Sequence, residues 1–439
     1  MNATCPPVQI KSLPGFFAFL LLIVCLAVLT ACNNRSPDEA LSQAVTDTPA
    51  TTEPDLPTAT TAPTLTPLPT VTPTPLPTET PTPAPTSTPT VPPTAIQDPT
   101  YGNPNVVHVY WDGENVQIGL AELDKDPVQL WSLTDAANPS FMPVFSPDGT
   151  QLAFLRYDRT AETTKFMLMN WNSPSERLLS NESVDIMGDF CWTSDRKSII
   201  WSGPPPSGIE TDIFRLDVAS GEITNITQEF PLWDAFPACS PVDNRIAYVS
   251  ERTETGDGFD SIWVMDSDGK NQQQLTNTPE HENEYPGWSP DGSEIAFYRY
   301  ILLPGFGDEE GDEKSFADGL WAVQADGSGE RLIVEILDFQ RGNLFAPAWS
   351  PDGKYIAYVN GPEEEMVVYI IEADTGKAVW SSDLPGEKAH FSWSANSKFL
   401  IFSNLVENKG NRIYVVSLDD LQVEPLLNVE DNWDGMFGP

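Results

Sequence analysis

The chain has 439 residues, with 23 Lys and Arg against 64 Asp and Glu, which gives a formal net charge of −41 at pH 7. The acidic excess persists beyond the first hundred residues, because residues 101–439 hold 21 basic and 57 acidic side chains. A surface with this charge repels phosphate groups, which argues against nucleic-acid binding and against flat docking on anionic lipid.

Residues 1–31 have the features of an export signal. Lys11 precedes an apolar run from Phe16 to Leu29, which has the length of a signal core and is too short for a membrane span. Leu29-Thr-Ala-Cys32 follows, and it resembles the bacterial lipobox, in which the cysteine is lipidated and becomes the new N-terminus. The sequence therefore predicts a lipoprotein anchored at Cys32, with an uncleaved signal anchor as the alternative.

Residues 32–100 form the second segment, which is rich in Thr, Pro and Ala from about Thr46 to Pro99. Proline removes backbone donors and fixes φ, and the segment has too little apolar mass to offset the entropy of ordering. We expect a disordered, extended tether between the anchor and a folded domain over residues 101–439.

A short phrase recurs seven times in that domain. Its lead residues are separated by steps of 47, 47, 49, 61, 44 and 44, a period that indicates a repeat architecture. The lead residues, several of which begin a Ser-Pro-Asp-Gly turn, are Phe145, Trp192, Cys239, Trp288, Trp349, Trp393 and Phe437.

Each repeat contains four short strands, as in the unit that starts at Tyr285. Its strands are Tyr285–Ser289, Glu294–Tyr300, Gly319–Gln324 and Arg331–Val334, separated by Gly-containing turns. No segment has a sustained period of 3.6 residues, so the domain is predicted to be all-β.

The repeat resembles the TolB-like unit found in TolB and in the non-catalytic propeller domains of prolyl-oligopeptidase-type peptidases. The phrase Pro-x-Trp-Ser-Pro-Asp-Gly at Pro286 and Pro347 carries the resemblance. It implies a β-propeller of four-stranded antiparallel blades. Six whole repeats, and a hybrid blade made of three N-terminal strands and the phrase at Phe437, predict seven blades; six is the alternative.

Cys191 and Cys239 fall on the apolar opening strands of neighbouring repeats. They occupy different registers, on opposite faces of their strands. We therefore expect two free, buried thiols that behave as small hydrophobic groups, rather than a disulfide.

Binding residues are expected on the face that carries the long connections, around the central channel. An aromatic ring beside a carboxylate suits sugars or cationic peptide segments, although tryptophans packed between blades would explain the same pattern. The candidates at the starts of blades are Asp189, Trp233, Asp234, Glu284, His390, Trp433 and Asp434.

Metal binding and catalysis have weaker support in the sequence. The acidic insertion Asp308–Asp318 offers oxygen ligands for calcium, but its spacing differs from an EF-hand, and a solvated acidic loop is the favoured interpretation. No Gly-x-Ser-x-Gly elbow occurs, and the three histidines lack metal-ligand spacing. No cofactor and no catalytic residue is therefore assigned.

The sequence as a whole predicts an exported, membrane-anchored lipoprotein that faces the periplasm or the cell exterior. We expect a monomeric scaffold that binds a protein or glycan partner. The alternative is a propeller-class enzyme acting on polysaccharide, a glycosidase or a lyase.

Overall fold

The structure, a computed structural model, describes residues 105–438 except for 124–127, 135–136, 172, 206–210, 228–232, 253–258, 303–314, 337–344, 362–365, 385, 407–409 and 428–431. The predicted signal peptide, the lipidation residue Cys32 and the tether lie outside these residues, as does most of the acidic insertion. No helix in the described part of the chain has the length and hydropathy needed to cross a membrane.

Blade 1 joins the two ends of the propeller, as the truncated repeat at Phe437 predicted. Strand β28 (Asn432–Phe437) pairs antiparallel with β1 (Asn105–Trp111), and the sheet continues through β2 (Val116–Glu122) to β3 (Gln129–Ser132). Val107 lies opposite Met436 in this closing ladder. The last strand thus covers an edge of β1 that would otherwise be open for pairing with another chain.

Six further four-stranded sheets complete the described part of the ring, which has seven blades; the six-bladed alternative is wrong. Each is a meander of consecutive antiparallel strands. Blade 2 contains β4 (Ser140–Phe145), β5 (Gln151–Asp158), β6 (Thr163–Asn170) and β7 (Ser173–Leu178), and blade 3 contains β8 (Met187–Trp192), β9 (Ser198–Gly203), β10 (Asp212–Asp217) and β11 (Ile223–Asn225). Blade 4 contains β12 (Asp234–Cys239), β13 (Arg245–Ser250), β14 (Ser261–Asp266) and β15 (Gln273–Gln274), and blade 5 contains β16 (His281–Trp288), β17 (Glu294–Leu302), β18 (Ser315–Gln324) and β19 (Arg331–Glu335). Blade 6 contains β20 (Ala348–Trp349), β21 (Tyr355–Asn360), β22 (Val367–Glu372) and β23 (Ala378–Ser381), and blade 7 contains β24 (Glu387–Trp393), β25 (Phe399–Val406), β26 (Gly410–Ser417) and β27 (Val423–Pro425).

One strand of each blade lies on the inside of the ring. It is β28 in blade 1 and the first strand in chain order in the other six blades. These inner strands contact one another in a closed circle, in the order β28, β4, β8, β12, β16, β20, β24 and back to β28. The apolar core lies between neighbouring blades, where side chains such as Tyr298 and Phe402 are fully buried. The blades are therefore packed face to face around a central channel.

The recurrent Ser-Pro-Asp-Gly turn is explained by hydrogen bonds within the turn. In blade 5 the Ser289 hydroxyl donates to Asp291 Oδ1 at 2.7 Å and accepts the Glu294 amide hydrogen at 2.9 Å. Gly292 has φ of +69°, and a Cβ there would meet Val242 at 2.3 Å. These residues recur because they shape the connection between the first two strands.

The lead tryptophan of a blade bonds to the blade before it. The indole Nε1 of Trp349 donates to the carbonyl of Gly287 at 3.2 Å, and that of Trp288 donates to the carbonyl of Ala238 at 2.9 Å. In each case the acceptor is the residue immediately before the lead residue of the preceding blade. Trp192 and Trp393 make the equivalent bonds, to Val144 and Ala348.

The prediction of two free thiols is wrong, because Cys191 and Cys239 form a disulfide with a Cα–Cα distance of 5.8 Å. Cys239 is a lead residue, and Cys191 stands directly before the lead residue of the preceding blade. From the sequence, the two cysteines were expected on opposite faces of their strands. Since blades stack face to face, opposite faces of neighbouring inner strands are the ones that meet.

Candidate binding site in the central channel

The third residue before each lead residue is named the channel position, and in six of the seven blades, all except blade 6, the inner strand has a bulge there. At this point the backbone often adopts positive φ, with values of 52° at Met142, 49° at His390 and 50° at Asp434. The ladder to the second strand shifts register beside these residues. The bulge takes one residue of the inner strand out of regular pairing and can redirect its side chain.

The channel positions bring residues from separate blades around one cavity of about 350 Å³. Its lining includes the channel residues of blades 1, 2, 3, 6 and 7, which are Asp434, Met142, Asp189, Ala346 and His390. The volume lies within the range of small-ligand pockets. The channel residues of the two remaining blades, Phe236 and Tyr285, pack on each other with ring centroids 4.4 Å apart.

His390 and Asp434 form an ion pair in this cavity, with His390 Nε2 3.0 Å from Asp434 Oδ1. Burial alone would lower the pKa of His390, but the charge of Asp434, the hydrogen bond to it and the charge of Asp189 raise it to about 9. The imidazole is therefore protonated at neutral pH. Ser403 positions the pair by accepting the backbone amide hydrogen of Asp434 at 2.8 Å.

Asp189 supplies a second carboxylate to the cavity. Part of its surface remains open to the cavity, although protein surrounds it on the channel wall. The loss of bulk solvent raises its pKa, the charge of His390 opposes this, and the charge of Asp434 adds to it. Two carboxylates from different blades, Asp189 and Asp434, therefore both interact with the one cation His390.

The family comparison agrees with the blade architecture. Residues 100–300 match the TolB beta propeller domain. The repeat domain is a TolB-like β-propeller.

Relatives of this TolB-like propeller align over part of their length. The Tol-Pal system protein TolB of Francisella tularensis subsp. mediasiatica is 28% identical over 243 residues, covering 44% of this chain and 54% of that protein. An uncharacterized protein of Agrobacterium fabrum is 27% identical over 168 residues, covering 38% and 53%. The chain therefore spans about half the length of these curated relatives.

A solved structure shares the fold. The oligogalacturonate lyase of Vibrio parahaemolyticus superposes with a TM-score of 0.52 at 16% identity, covering 71% of this chain and 86% of that chain. At this identity the likeness concerns the arrangement of the blades and carries no statement about chemistry.

Asp234, predicted as a binding residue, lies elsewhere in the TolB-like propeller and is fully buried. Its Oδ2 is 2.5 Å from Arg252 Nη2, and the guanidinium packs over the rings of Tyr248 and Trp263. Burial raises the pKa of Asp234, and the charge of Arg252 opposes the rise. Asp234 therefore belongs to a buried structural ion pair within blade 4 rather than to the channel cavity.

The other predicted residues also lie outside the cavity lining. Glu284 is only 1% exposed within β16. Trp233 packs against Phe236, with ring centroids 5.4 Å apart, and contributes to the core between blades 4 and 5. Trp433 pairs with Val109 in the backbone ladder of blade 1, and its side chain lies outside the described part.

The calcium hypothesis concerns the insertion Asp308–Asp318, of which residues 308–314 are outside the described residues. Within the described residues, no group of three or more His, Cys, Asp and Glu side chains is arranged to hold a metal ion.

The apolar walls of the cavity, which were not among the residues predicted from the sequence, include Phe345, Phe391 and Met436. Phe345 lies 5.0 Å from His390 between ring centroids. A sequence signal for most of the site exists, because the channel position lies three residues before every lead residue. Counting back in this way selects Met142 and Ala346 as well as Asp189, His390 and Asp434.

Proposed function

We propose that this protein is a binding scaffold of the bacterial envelope, which presents its propeller to a protein partner. The observation that carries the proposal is the channel cavity, where the His390–Asp434 pair and Asp189 come together from three separate blades. A rigid ring that gathers polar groups in one apolar-walled cavity is suited to specific recognition. The TolB relatives, named as Tol-Pal system proteins, support a protein partner in the envelope.

Export and anchoring are part of the proposal. The lipobox-like segment Leu29–Cys32 supports lipidation at Cys32, and residues 32–100 would hold the domain away from the membrane as an extended tether. The Cys191–Cys239 disulfide supports an oxidising compartment outside the cytoplasm. Replacing Cys32 with Ser should release the protein from the membrane fraction, and unchanged membrane retention would exclude the lipid anchor.

Site-specific cross-linking tests the scaffold. A photo-reactive amino acid in place of Ala346, on the cavity wall, should cross-link the partner in cells after irradiation. The control is the same replacement at Asp268, which is exposed on a hairpin turn away from the cavity. Cross-links to the same protein from both positions, or from position 268 alone, would reject the channel as the contact site.

A second candidate function, polysaccharide cleavage, is supported by the protonated His390 beside two carboxylates in the channel cavity. Titratable groups with perturbed pKa values in a cavity are typical of acid–base sites, and the pKa values of His390 and Asp189 are both raised. Incubation with a polysaccharide panel should then give turnover that is lost in Asp434→Asn and retained in Asp234→Asn. No turnover on any polysaccharide would leave the scaffold as the function.

A further inference from the structure

We propose that the channel cavity binds an alkylammonium or alkylguanidinium group, the chemistry carried by lysine and arginine side chains, with Asp189 as its counter-ion. This inference rests on the proposed function, because it specifies what part of a partner the same site recognises. The geometry of the cavity, its charge and its walls support it separately.

The charge of the cavity is unbalanced. Its lining contains three titratable side chains, Asp189 on β8, His390 on β24 and Asp434 on β28, while β4 and residues 345–348 contribute none. His390 and Asp434 neutralise each other at 3.0 Å. Among the described residues no hydrogen bond or ion pair to Asp189 is found, so one carboxylate remains for a ligand.

The poor solvation of Asp189 favours a cationic ligand over a neutral one. On the cavity wall, loss of solvent penalises the ionised Asp189 carboxylate, the charge of His390 offsets part of this penalty, and Asp434 repels the carboxylate. A cation placed beside Asp189 would remove that penalty and would favour the ionised form. Coulomb attraction is also stronger beside a protein wall that excludes part of the solvent than at an open surface.

The walls fit an organic cation rather than a bare metal ion. Phe345 and Phe391 present aromatic rings, which attract ammonium and guanidinium groups, and Met142 and Met436 supply polarisable thioethers that pack against an alkyl stem. A metal ion would need several oxygen or nitrogen ligands at close range, and the described residues offer no such group.

The charge of the whole domain agrees with this ligand. Residues 101–439 carry a formal charge of −36, so the field around the propeller attracts basic segments and increases their rate of encounter. The channel would then select a side chain that combines positive charge with an apolar stem.

The test is a saturation-transfer NMR titration of the purified protein with n-butylammonium and n-butylguanidinium. Both should bind saturably, whereas n-butanol and butyrate, which have a similar stem without positive charge, should not. Asp189→Asn should weaken cation binding at least tenfold, and Asp383→Asn, which removes an exposed carboxylate outside the cavity, should leave it unchanged. Equal binding of n-butanol, or full affinity in Asp189→Asn, would overturn the proposal.

Two further probes separate the sources of the cation. Binding of acetyl-Gly-Lys-Gly-amide supports a protein side chain, whereas binding of spermidine without the peptide supports the cation site and assigns it to a free polyamine. Thermal unfolding of Asp189→Asn at the wild-type temperature confirms that the variant is folded.

The failure of this inference is distinguishable from failure of the scaffold. If partner cross-linking through position 346 persists in Asp189→Asn while the cation probes do not bind, the scaffold stands and the cation site is rejected. If the cation probes bind and position 346 gives no cross-link, the cation site stands and the protein-binding role is rejected.

Discussion

The sulfur of Cys239 is bonded to the sulfur of Cys191 at the place where other blades use an indole hydrogen bond. The indole of a lead tryptophan donates to a backbone carbonyl of the previous blade. For Trp349 the acceptor is Gly287, which directly precedes the lead residue Trp288. Cys239 is also a lead residue, and it is bonded to Cys191, which directly precedes Trp192, the lead residue of blade 3. The disulfide therefore replaces one hydrogen-bonded contact in a series that links successive blades.

Removing this covalent link should lower stability more than removing one of its hydrogen-bonded equivalents. The double replacement Cys191→Ser and Cys239→Ser is expected to lower the free energy of unfolding by about 2–4 kcal/mol, because the bond closes a loop between residues 48 apart. Trp349→Phe, which removes an indole donor, should cost about 0.5–1.5 kcal/mol from the lost hydrogen bond. Denaturant unfolding measures both. Equal stability of wild type with and without reductant, and no disulfide-linked peptide by mass spectrometry, would contradict the bond.

The ion pair between Asp234 and Arg252 should be important for stability and irrelevant to binding. Arg252→Gln leaves a buried carboxylate without its cation and is expected to cost about 3–5 kcal/mol in unfolding free energy. Adding Asp234→Asn to that variant should recover part of the loss, because no charge is then buried. A double variant as unstable as Arg252→Gln alone would argue against the pair. Cation binding in the channel should be the same for wild type and Asp234→Asn.

His108 should make the protein sensitive to acid. Burial lowers its pKa from 6.5 to about 4, opposed by hydrogen bonds involving Val109 and Asn432. The unfolded chain binds a proton below pH 6.5 that the folded protein does not, so stability falls as the pH decreases from 6.5 to 4. This difference in pKa between the unfolded and folded states corresponds to a loss of about 3 kcal/mol in the free energy of unfolding at pH 4 and below.

The measurement for His108 is the free energy of unfolding between pH 4 and pH 7. The variant His108→Gln should flatten the curve in this range, because it removes the group that titrates. A wild-type curve that is already flat between these values, or an unchanged slope in His108→Gln, would contradict the prediction.

His390 should behave in the opposite way. Its pKa in the folded protein is about 9, above the value of about 6.5 expected for an unfolded chain, so its stabilising contribution is complete below pH 6.5 and is lost as the pH rises to 9. An NMR titration of the His390 ring should give a midpoint near 9. In Asp434→Asn the midpoint should fall, and a wild-type midpoint near 6.5 would show that the ion pair does not form.

The sequence predicted the propeller well because the repeat is structural. Trp288 and Trp349 contact the blade before them, and the Pro-Asp-Gly turns connect the first two strands, so their spacing reports blades directly. The truncated phrase at Phe437 likewise identified the strand that pairs with β1. These residues act through local turns and nearest-neighbour contacts, which a linear pattern records.

The positions of the candidate site residues followed from the sequence only in part, and the reason is geometric. Asp189, His390 and Asp434 line one cavity, whereas Asp234 and Glu284 are buried beside the bulge of their own strands. A bulge interrupts the alternation of side chains, so counting faces along an inner strand fails beyond it. The disulfide did not follow from the sequence because Cys191 and Cys239 lie on opposite faces of their own strands, and those two faces meet only once neighbouring blades pack together.

The channel position also bears on how such a domain can diverge. Its residue lies outside regular pairing, at a bulge in six blades and before the inner strand in blade 6. The seven residues are Met142, Asp189, Phe236, Tyr285, Ala346, His390 and Asp434. Polar, aromatic and aliphatic side chains are all accommodated while the turns and lead residues keep the ring intact. Point changes at these seven places could therefore alter what the protein recognises with little effect on whether it folds, which separates the evolution of selectivity from that of stability.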